Sequence, residues 1–244
     1  MTAEPPVAPV PARPYLSGWT GMIVILLLGI LIGGGTMALA NGYLVRTYLL
    51  SHPEVLPEAM QRLHDRDIAK FIQTYRSELE TPFGGAWAGA TKGDVVLVEF
   101  FDYACPYCRK SNADVARLLK ADPRIKLVWR EWPVLGPDSQ EAAENSLAAA
   151  RKGRFRAFHD ALFALGRPNE ATLAQARKAA GLTDSDLAAV GKAEAVAELS
   201  KNYDLARGLG ATGTPAFVVG DRVLQGAVGY EALKQAVAEA RKRG

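Results

Sequence analysis

The chain has 244 residues, of which 49% are hydrophobic and 23% charged, so it can form a packed domain and is not a disordered protein. Its formal net charge is only +3, and its basic residues are scattered among nearly as many acidic ones, which argues against a nucleic-acid-binding protein. Both cysteines lie in one short motif, so no other cysteine is available for a structural disulfide.

The N-terminal segment predicts export. Residues 1–20 are rich in proline and alanine, which is typical of a disordered leader. Residues 21–45 carry no charged side chain and include about 20 apolar residues, the length that crosses a bilayer. We favour a retained transmembrane anchor, because the leader is long and weakly basic for a signal sequence. A cleaved signal sequence is the alternative, since Ala38-Leu39-Ala40 has the small-x-small form of a cleavage site.

Both alternatives place the rest of the chain outside the cytosol, and we expect a single-pass protein of the inner membrane or a soluble periplasmic protein. Charge counting barely fixes the orientation of the segment. A dithiol site without further cysteines is useful to a folding catalyst outside the cytosol, so we expect the domain on the periplasmic side. A cytosol-facing reductase on an anchor is the remaining alternative.

Residues 46–80 predict an amphipathic helical extension. Ser51 and Glu54 have the spacing of a capping box, and apolar residues follow at intervals of three and four. Pro57 conflicts with a helix that begins at Ser51, so the helix could begin at the proline instead. The apolar stripe could pack on its own domain or on copies of itself, which would make a homo-oligomer. Residues 81–93 contain four glycines and predict a mobile linker.

Residues 94–244 predict an α/β domain. A strand leads into the cysteine motif, a helix leads out of it, and a second strand follows at residues 125–132, an order that implies a parallel crossover. A helical block covers about residues 138–209 and is divided at Pro168, Gly181 and Gly191. A hairpin around Gly220-Asp221 and a helix over residues 230–243 complete the domain.

The motif Cys105-Pro106-Tyr107-Cys108 lies where the strand turns into the helix. Two thiols at this spacing can close and reopen a small disulfide ring. The unpaired N–H groups and the positive dipole end of a helix N-terminus favour a thiolate there, which is the chemistry of thiol–disulfide exchange. A structural disulfide or a metal site are the alternatives. Zinc wants about four ligands, which the sequence lacks, whereas linear Cu(I) on the two sulfurs is harder to exclude.

The arrangement from Glu99 through Cys108, followed by a helical block and then Gly213-Thr214-Pro215-Ala216 before a hairpin, resembles the DsbA-like thiol:disulfide oxidoreductases. The resemblance implies a thioredoxin fold with an inserted helical domain and a cis-proline before the hairpin. The segment from Tyr48 to Leu56 is similar to the N-terminal extension of suppressor-of-copper-sensitivity proteins of this family. In those proteins the extension supports oligomers and disulfide shuffling.

The resemblance implies a role for each candidate site residue. Cys105 is the expected nucleophile, exposed at the turn, and Cys108 lies one helical turn inward and resolves the mixed disulfide. Glu99 would exchange protons with Cys108 through water; a salt bridge to Lys126 or Arg130 is the alternative for this buried carboxylate. The expected substrate-binding residues are Pro106, Tyr107, Thr214 and Pro215.

The predicted function is disulfide exchange with exported protein substrates, without a cofactor. An oxidase would be re-oxidised by a quinone-linked membrane partner, and an isomerase or reductase would be kept reduced by a transmembrane donor. Thr214 and the upstream helix favour the second direction, while general family frequency favours the first. A copper-binding or chaperone-like exported protein is the alternative function.

Two further expectations concern ionisation. Pro106 and Tyr107 carry no charge, so we expect a less oxidising site than in DsbA, with a Cys105 pKa above about 4. His159 has no catalytic partner nearby in sequence, so we interpret it as a helix-surface or packing residue.

Overall fold

The computed structural model describes residues 18–243 and divides into two compact units, Met1–Gln61 and Arg62–Gly244. Most of the predicted leader, residues 1–17, therefore lies outside the described residues, while residues 18–20 are already helical.

The first unit contains helix α1 (Gly18–Ser51), followed by the start of α2 (Val55–Glu80). The first 18 residues of α1, Gly18–Gly35, form a helical segment that is long and apolar enough to cross a membrane. Thirty-four helical residues extend about 50 Å, more than the roughly 30 Å of a bilayer core. The predicted apolar segment is thus one part of a longer continuous helix.

The predicted capping box at Ser51 is wrong. Ser51 is the last residue of α1, and its hydroxyl donates hydrogen bonds to the carbonyls of Thr47 (2.9 Å) and Tyr48 (3.0 Å) in the preceding turn. Ser51 also lies four residues before the start of the next helix, where the N–H groups of Val55 and Leu56 bond the carbonyls of His52 and Pro53, so it is not the N-cap of that helix. The next helix begins at Val55, two residues before Pro57, so the proline lies in its first turn.

The second unit is built on a five-stranded sheet with the spatial order β1-β3-β2-β4-β5. Strands β2 and β3 are parallel, as the sequence predicted, and the other pairs are antiparallel. Both central strands are almost fully buried, which explains their continuous apolar sequences. The strands are β1 (Trp87–Gly89), β2 (Val95–Phe101), β3 (Ile125–Glu131), β4 (Ala216–Val219) and β5 (Arg222–Gln225).

Helices cover both faces of this sheet. The helix that follows the cysteine motif joins the two parallel strands, and five helices form the inserted block, with breaks at the predicted positions Pro168, Gly181 and Gly191. The helices after α2 are α3 (Pro106–Ala121), α4 (Pro137–Arg151), α5 (Phe155–Leu165), α6 (Glu170–Ala180), α7 (Asp184–Ala189), α8 (Lys192–Gly208) and α9 (Tyr230–Arg243). The architecture is a thioredoxin-like α/β fold with a helical insertion.

Part of the glycine-rich segment 81–93 is a strand of the sheet, so the segment is not the separate linker that the sequence predicts. It contains β1, which pairs with β3, and Ala86 beside it is buried. Gly89 has a φ of 82°, and a Cβ at this position would collide with the carbonyl of Ile125. Its lack of a side chain therefore permits close approach of two backbones.

The second half of α2 packs on its own domain. Ile72 and Leu79 are buried on the sheet face formed by Val98, Phe100 and Val128. Leu56 and Met60, near the start of the helix, are exposed. Self-association through that end stays a prediction, which sizing the chain with and without residues 46–80 would test.

A buried arginine fixes the C-terminal end of α2. The Arg130 guanidinium on β3 is 1% exposed and donates to the carbonyls of Leu79 (3.1 Å), Thr81 (2.8 Å) and Glu78. It also bonds Asn202 on α8 at 2.8 Å. These are carbonyls that the end of a helix leaves without partners, so one cation satisfies them and joins α2 to the sheet.

The close contact between α2 and α8 predicts a strong effect of one methyl group. A Cβ at Gly208 would overlap the Phe71 ring. Gly208→Ala normally favours a helix by up to about 1 kcal/mol, but here we expect a net loss of about 1–3 kcal/mol in the free energy of unfolding. Urea unfolding of the detergent-solubilised chain measures it, with Ser200→Ala, at an exposed α8 position, as the control. The double variant with Phe71→Ala should lose less than the sum of the two single losses. Additive losses would contradict this packing.

Candidate active site

The two cysteines lie at the start of α3. Cys105 is the N-cap residue, with extended backbone angles, and Pro106 is the first helical residue. Proline fits this position because the first N–H groups of a helix have no intrahelical partner. Both cysteines are free thiols; Cys105 is 4% exposed and Cys108 is fully buried. Cys105 is thus more covered than the sequence predicted, whereas Tyr107 is 62% exposed.

The covering element is the loop before β4. The Thr214–Pro215 peptide bond is cis, as predicted, and the Cys105 sulfur lies 3.1 Å from the Thr214 carbonyl oxygen. Thr214 is half-buried and Pro215 is buried. The structure therefore brings Cys105 into contact with the Thr214–Pro215 pair, although 109 positions separate Cys105 from Thr214 in the chain.

Asp102 holds the turn in place, a role that sequence analysis did not assign. Its carboxylate accepts hydrogen bonds from the backbone N–H groups of Ala104 (2.7 Å), Val134 (2.8 Å) and Leu135 (3.0 Å). The side chain is 1% exposed, so these charge-assisted bonds are formed away from water. They fix the end of β2 to the loop that follows β3. An aspartate directly after a buried strand and two residues before a turn was the available sequence signal.

The two sulfurs have opposite acidities. Hydrogen bonds from the Cys108 thiol, then from Thr214 and the N–H groups at the helix start, lower the pKa of Cys105 to about 5, although partial burial opposes them. Burial raises the pKa of Cys108 far above its ordinary value, and the bond to Cys105 and the charge of Glu99 add to this. Cys105 is therefore a thiolate at neutral pH and Cys108 a thiol. Such a pair can exchange disulfides through one sulfur at a time.

Glu99 lies in the middle of β2 and is fully buried. Its Oε2 accepts a hydrogen bond from the Trp129 indole N–H at 3.1 Å, while Oε1 has no partner among the described residues. Burial raises its pKa to about 8, and the Trp129 bond offsets part of that rise. At neutral pH the carboxyl group therefore carries a proton most of the time.

The alternative salt bridge of Glu99 is wrong. Lys126 donates to the Glu80 carbonyl at 3.2 Å, and Arg130 bonds the end of α2 and α8. Side chains alternate between the faces of a strand, so both lie on the face opposite to Trp129, which is paired in register with Glu99.

His159 is a packing residue. It is 2% exposed in a cluster of aromatic rings, and burial, with the nearby Arg156 charge, lowers its pKa to about 3. It is therefore neutral at physiological pH and not placed to act as a catalytic base. The rings around it belong to Phe101, Tyr103, Trp129, Phe155 and Phe163.

Glu131 is a second buried acid that sequence analysis missed. It is 3% exposed at the end of β3, and burial raises its pKa, opposed by a Ser146 hydrogen bond and increased by the Asp102 charge. Ser146 also lies 2.8 Å from the Tyr103 hydroxyl. Glu131 thus belongs to a polar contact between the C-terminal end of β3 and α4. Among residues 18–243, no group of three or more His, Cys, Asp or Glu side chains is placed to hold a metal ion.

Two family models match the chain. The DSBA-like thioredoxin domain matches residues 96–238, and the N-terminal domain of the copper resistance protein ScsC matches residues 42–70. The first match covers more than half of the chain and includes every candidate site residue.

Solved structures of thioredoxin-like proteins are similar to this chain. A thioredoxin-like oxidoreductase from Silicibacter pomeroyi DSS-3 is 43% identical, with a TM-score of 0.61 over 64% of this chain and 91% of that chain. A linker-deletion mutant of ScsC from Proteus mirabilis is 30% identical, with a TM-score of 0.68 over 82% of this chain and 93% of that chain. A periplasmic thioredoxin-like protein from Salmonella enterica serovar Typhimurium is 29% identical, with a TM-score of 0.59 over 64% of this chain and 89% of that chain.

A curated relative is a longer protein. The Na+/H+ antiporter NhaA 3 of Salinispora tropica is 32% identical over 158 residues, which are 62% of this chain. The chain spans 24% of the length of that relative.

The acidity of Cys105 predicts a dependence on its neighbour. The rate of alkylation by iodoacetamide should follow a midpoint near pH 5, because the thiolate is the reactive form. Cys108→Ala removes the hydrogen bond that lowers this pKa most, so the midpoint should move upward, toward that of an ordinary thiol. Tyr107→Phe should leave it unchanged, since the backbone N–H of this residue, not its hydroxyl, contributes. An unchanged midpoint in Cys108→Ala would contradict the assignment.

Proposed function

Since this chain belongs to the DSBA-like thioredoxin domain family, we propose that it exchanges disulfides with exported protein substrates through Cys105 and Cys108. The observation that supports this proposal most strongly is that the pKa values of the two thiols are shifted in opposite directions. That of Cys105 is lowered to about 5, and that of Cys108 is raised by burial. Exchange needs one sulfur that leaves easily as a thiolate and one that stays protected until a mixed disulfide has formed.

The exchange is a two-electron transfer. A substrate thiolate attacks the Cys105 sulfur of the oxidised pair, the bond between the two cysteines breaks, and Cys108 leaves with the electron pair and takes up a proton. A second substrate thiolate then attacks the substrate sulfur, which closes the substrate disulfide and releases Cys105 as a thiolate. The substrate is oxidised and the enzyme becomes the dithiol. The reverse order reduces or reshuffles substrate disulfides.

Glu99 is the proposed proton carrier for Cys108. Its charge is among the causes that raise the pKa of Cys108, so the two groups are close enough to interact. A carboxyl group with a pKa of about 8 can both give and take a proton near neutral pH. Thr214 and Pro215 would hold an extended substrate beside Cys105, and Pro106 and the exposed Tyr107 would contact it from the helix side.

We propose that the domain lies outside the cytosol on a membrane anchor. The apolar half of α1 supports this placement, and the dithiol chemistry suits an exported protein. The redox partner would lie in the same membrane, as a quinone-linked oxidase or a transmembrane reductase. The isomerase or reductase direction is favoured by Thr214 before the cis-proline and by the match of the upstream segment to the ScsC N-terminal domain.

The direction can be tested by the redox state in cells. Acid quenching followed by alkylation with a mass-tagged maleimide separates the dithiol from the disulfide form of the Cys105 and Cys108 pair. We expect mostly dithiol, because an isomerase or reductase must be kept reduced to attack substrate disulfides. Samples treated with dithiothreitol and with diamide calibrate the two limits. A pair that is mostly oxidised would overturn this direction and assign an oxidase.

A further inference from the structure

Trp129 lies where it can control the proton on Glu99. Parallel strands β2 and β3 place the two residues in register, and the indole N–H donates to Glu99 Oε2 at 3.1 Å. Glu99 is fully buried and Trp129 is 4% exposed, so water does not compete for this bond.

We infer that Trp129 is a positioning residue that keeps the exchangeable proton of Glu99 on Oε1, where it is available to Cys108. The inference rests on the proposed function of Glu99. Its basis is chemical: an indole N–H can donate but cannot accept, so the oxygen that it contacts must be an acceptor. In a neutral carboxyl group the carbonyl oxygen is the stronger acceptor, so the bond to Oε2 favours the proton on Oε1, and Oε1 has no partner among residues 18–243.

The indole is held in this orientation by its surroundings. Its ring centroid lies 5.2 Å from that of Phe155 and 4.9 Å from that of His159, and the Arg156 guanidinium lies 5.4 Å above it. Turning the indole away from Glu99 would break all three contacts. The aromatic cluster around His159 therefore also holds the Trp129 indole N–H in the orientation that contacts Glu99.

A neutral donor also decides the charge of the site. A lysine or arginine at this position would favour the ionised carboxylate, whereas the indole N–H offsets only part of the effect of burial. The other ionisable groups that face this contact are Cys108 from α3 and His159 and Arg156 from α5; from β4 the register partner is Phe217, which is apolar. His159 is neutral near pH 8, since burial lowers its pKa to about 3.

The test follows Glu99 and Trp129 by nuclear magnetic resonance in the full reduced chain in detergent, with Glu99→Gln assigning the carboxyl signal. In the native chain, the Trp129 indole N–H resonance should titrate with the same midpoint as the Glu99 carboxyl carbon, near pH 8, and Glu99→Gln should abolish this titration. This comparison needs no change at Trp129. A Trp129 resonance that does not move while Glu99 titrates would overturn the inference.

A matched pair of variants gives the second arm. Trp129→Phe keeps an aromatic ring but removes the donor, so the Glu99 midpoint should move upward. Less carboxylate would then be present at pH 7 to take the Cys108 proton, and resolution of a Cys105 mixed disulfide by Cys108 should slow about tenfold. Trp132→Phe is the control, because its indole N–H is also buried but has no partner in the part of the chain that the structure describes, and its side chain lies on the other sheet face. Equal midpoint shifts in both variants, or none in Trp129→Phe, would overturn the inference. Failure of the proposed function is distinct, since a native chain that exchanges no disulfide would still show the titration.

Discussion

The site depends on one electrostatic contrast across a single turn of helix. Cys105 ends an extended segment and faces the N–H groups at the start of α3, while Cys108 has turned inward to the apolar side of the sheet. The first environment stabilises a thiolate and the second disfavours one. The two sulfurs therefore have different roles in the exchange. Two contacts hold this turn in place. Asp102 bonds it to the loop after β3, and the Thr214–Pro215 loop before β4 contacts the Cys105 sulfur.

The two faces of the sheet carry different buried polar groups. The face toward α3 and α5 carries Glu99 and Trp129, where a buried proton can be held next to a buried sulfur. The opposite face carries Arg130, whose charge is satisfied by the end of α2 and by α8. Alternation along β3 keeps this cation off the carboxyl group, so the pKa of Glu99 stays raised. The second half of α2 is therefore a layer of this domain. It covers the sheet face that carries Arg130, and its C-terminal carbonyls accept the Arg130 hydrogen bonds.

The sequence predicted the elements whose patterns are long or regular, including β2, the helical block with three of its four breaks, the hairpin and α9; it missed the break between α4 and α5. It failed where a partner elsewhere in the chain decides. Strand β1 has three residues and a glycine, so its own sequence carries almost no signal, and only pairing with β3 makes it a strand. The Ser51 motif was overruled because α1 continues through it.

The same distinction applies within the site. The two cysteines and the cis-proline were identifiable from motifs, but the cover over Cys105 comes from a loop distant in sequence. The hydrogen-bond partner of Glu99 is Trp129, and this pairing follows from the register of β2 and β3. The basic residues of β3 suggested a salt bridge instead, because the register was unknown from the sequence. Asp102 and Glu131 acquire their surroundings only when the loop after β3 and α4 come together.

The central claim is that the sulfurs are unequal, and the most direct measurement is the site of mixed-disulfide formation. Full-length Cys108→Ser and Cys105→Ser chains would each be incubated at pH 7 with an activated peptide disulfide and analysed by mass spectrometry over time. The account predicts rapid peptide attachment at Cys105 in the first variant and almost none at Cys108 in the second. Similar rates of attachment at both sulfurs would contradict it.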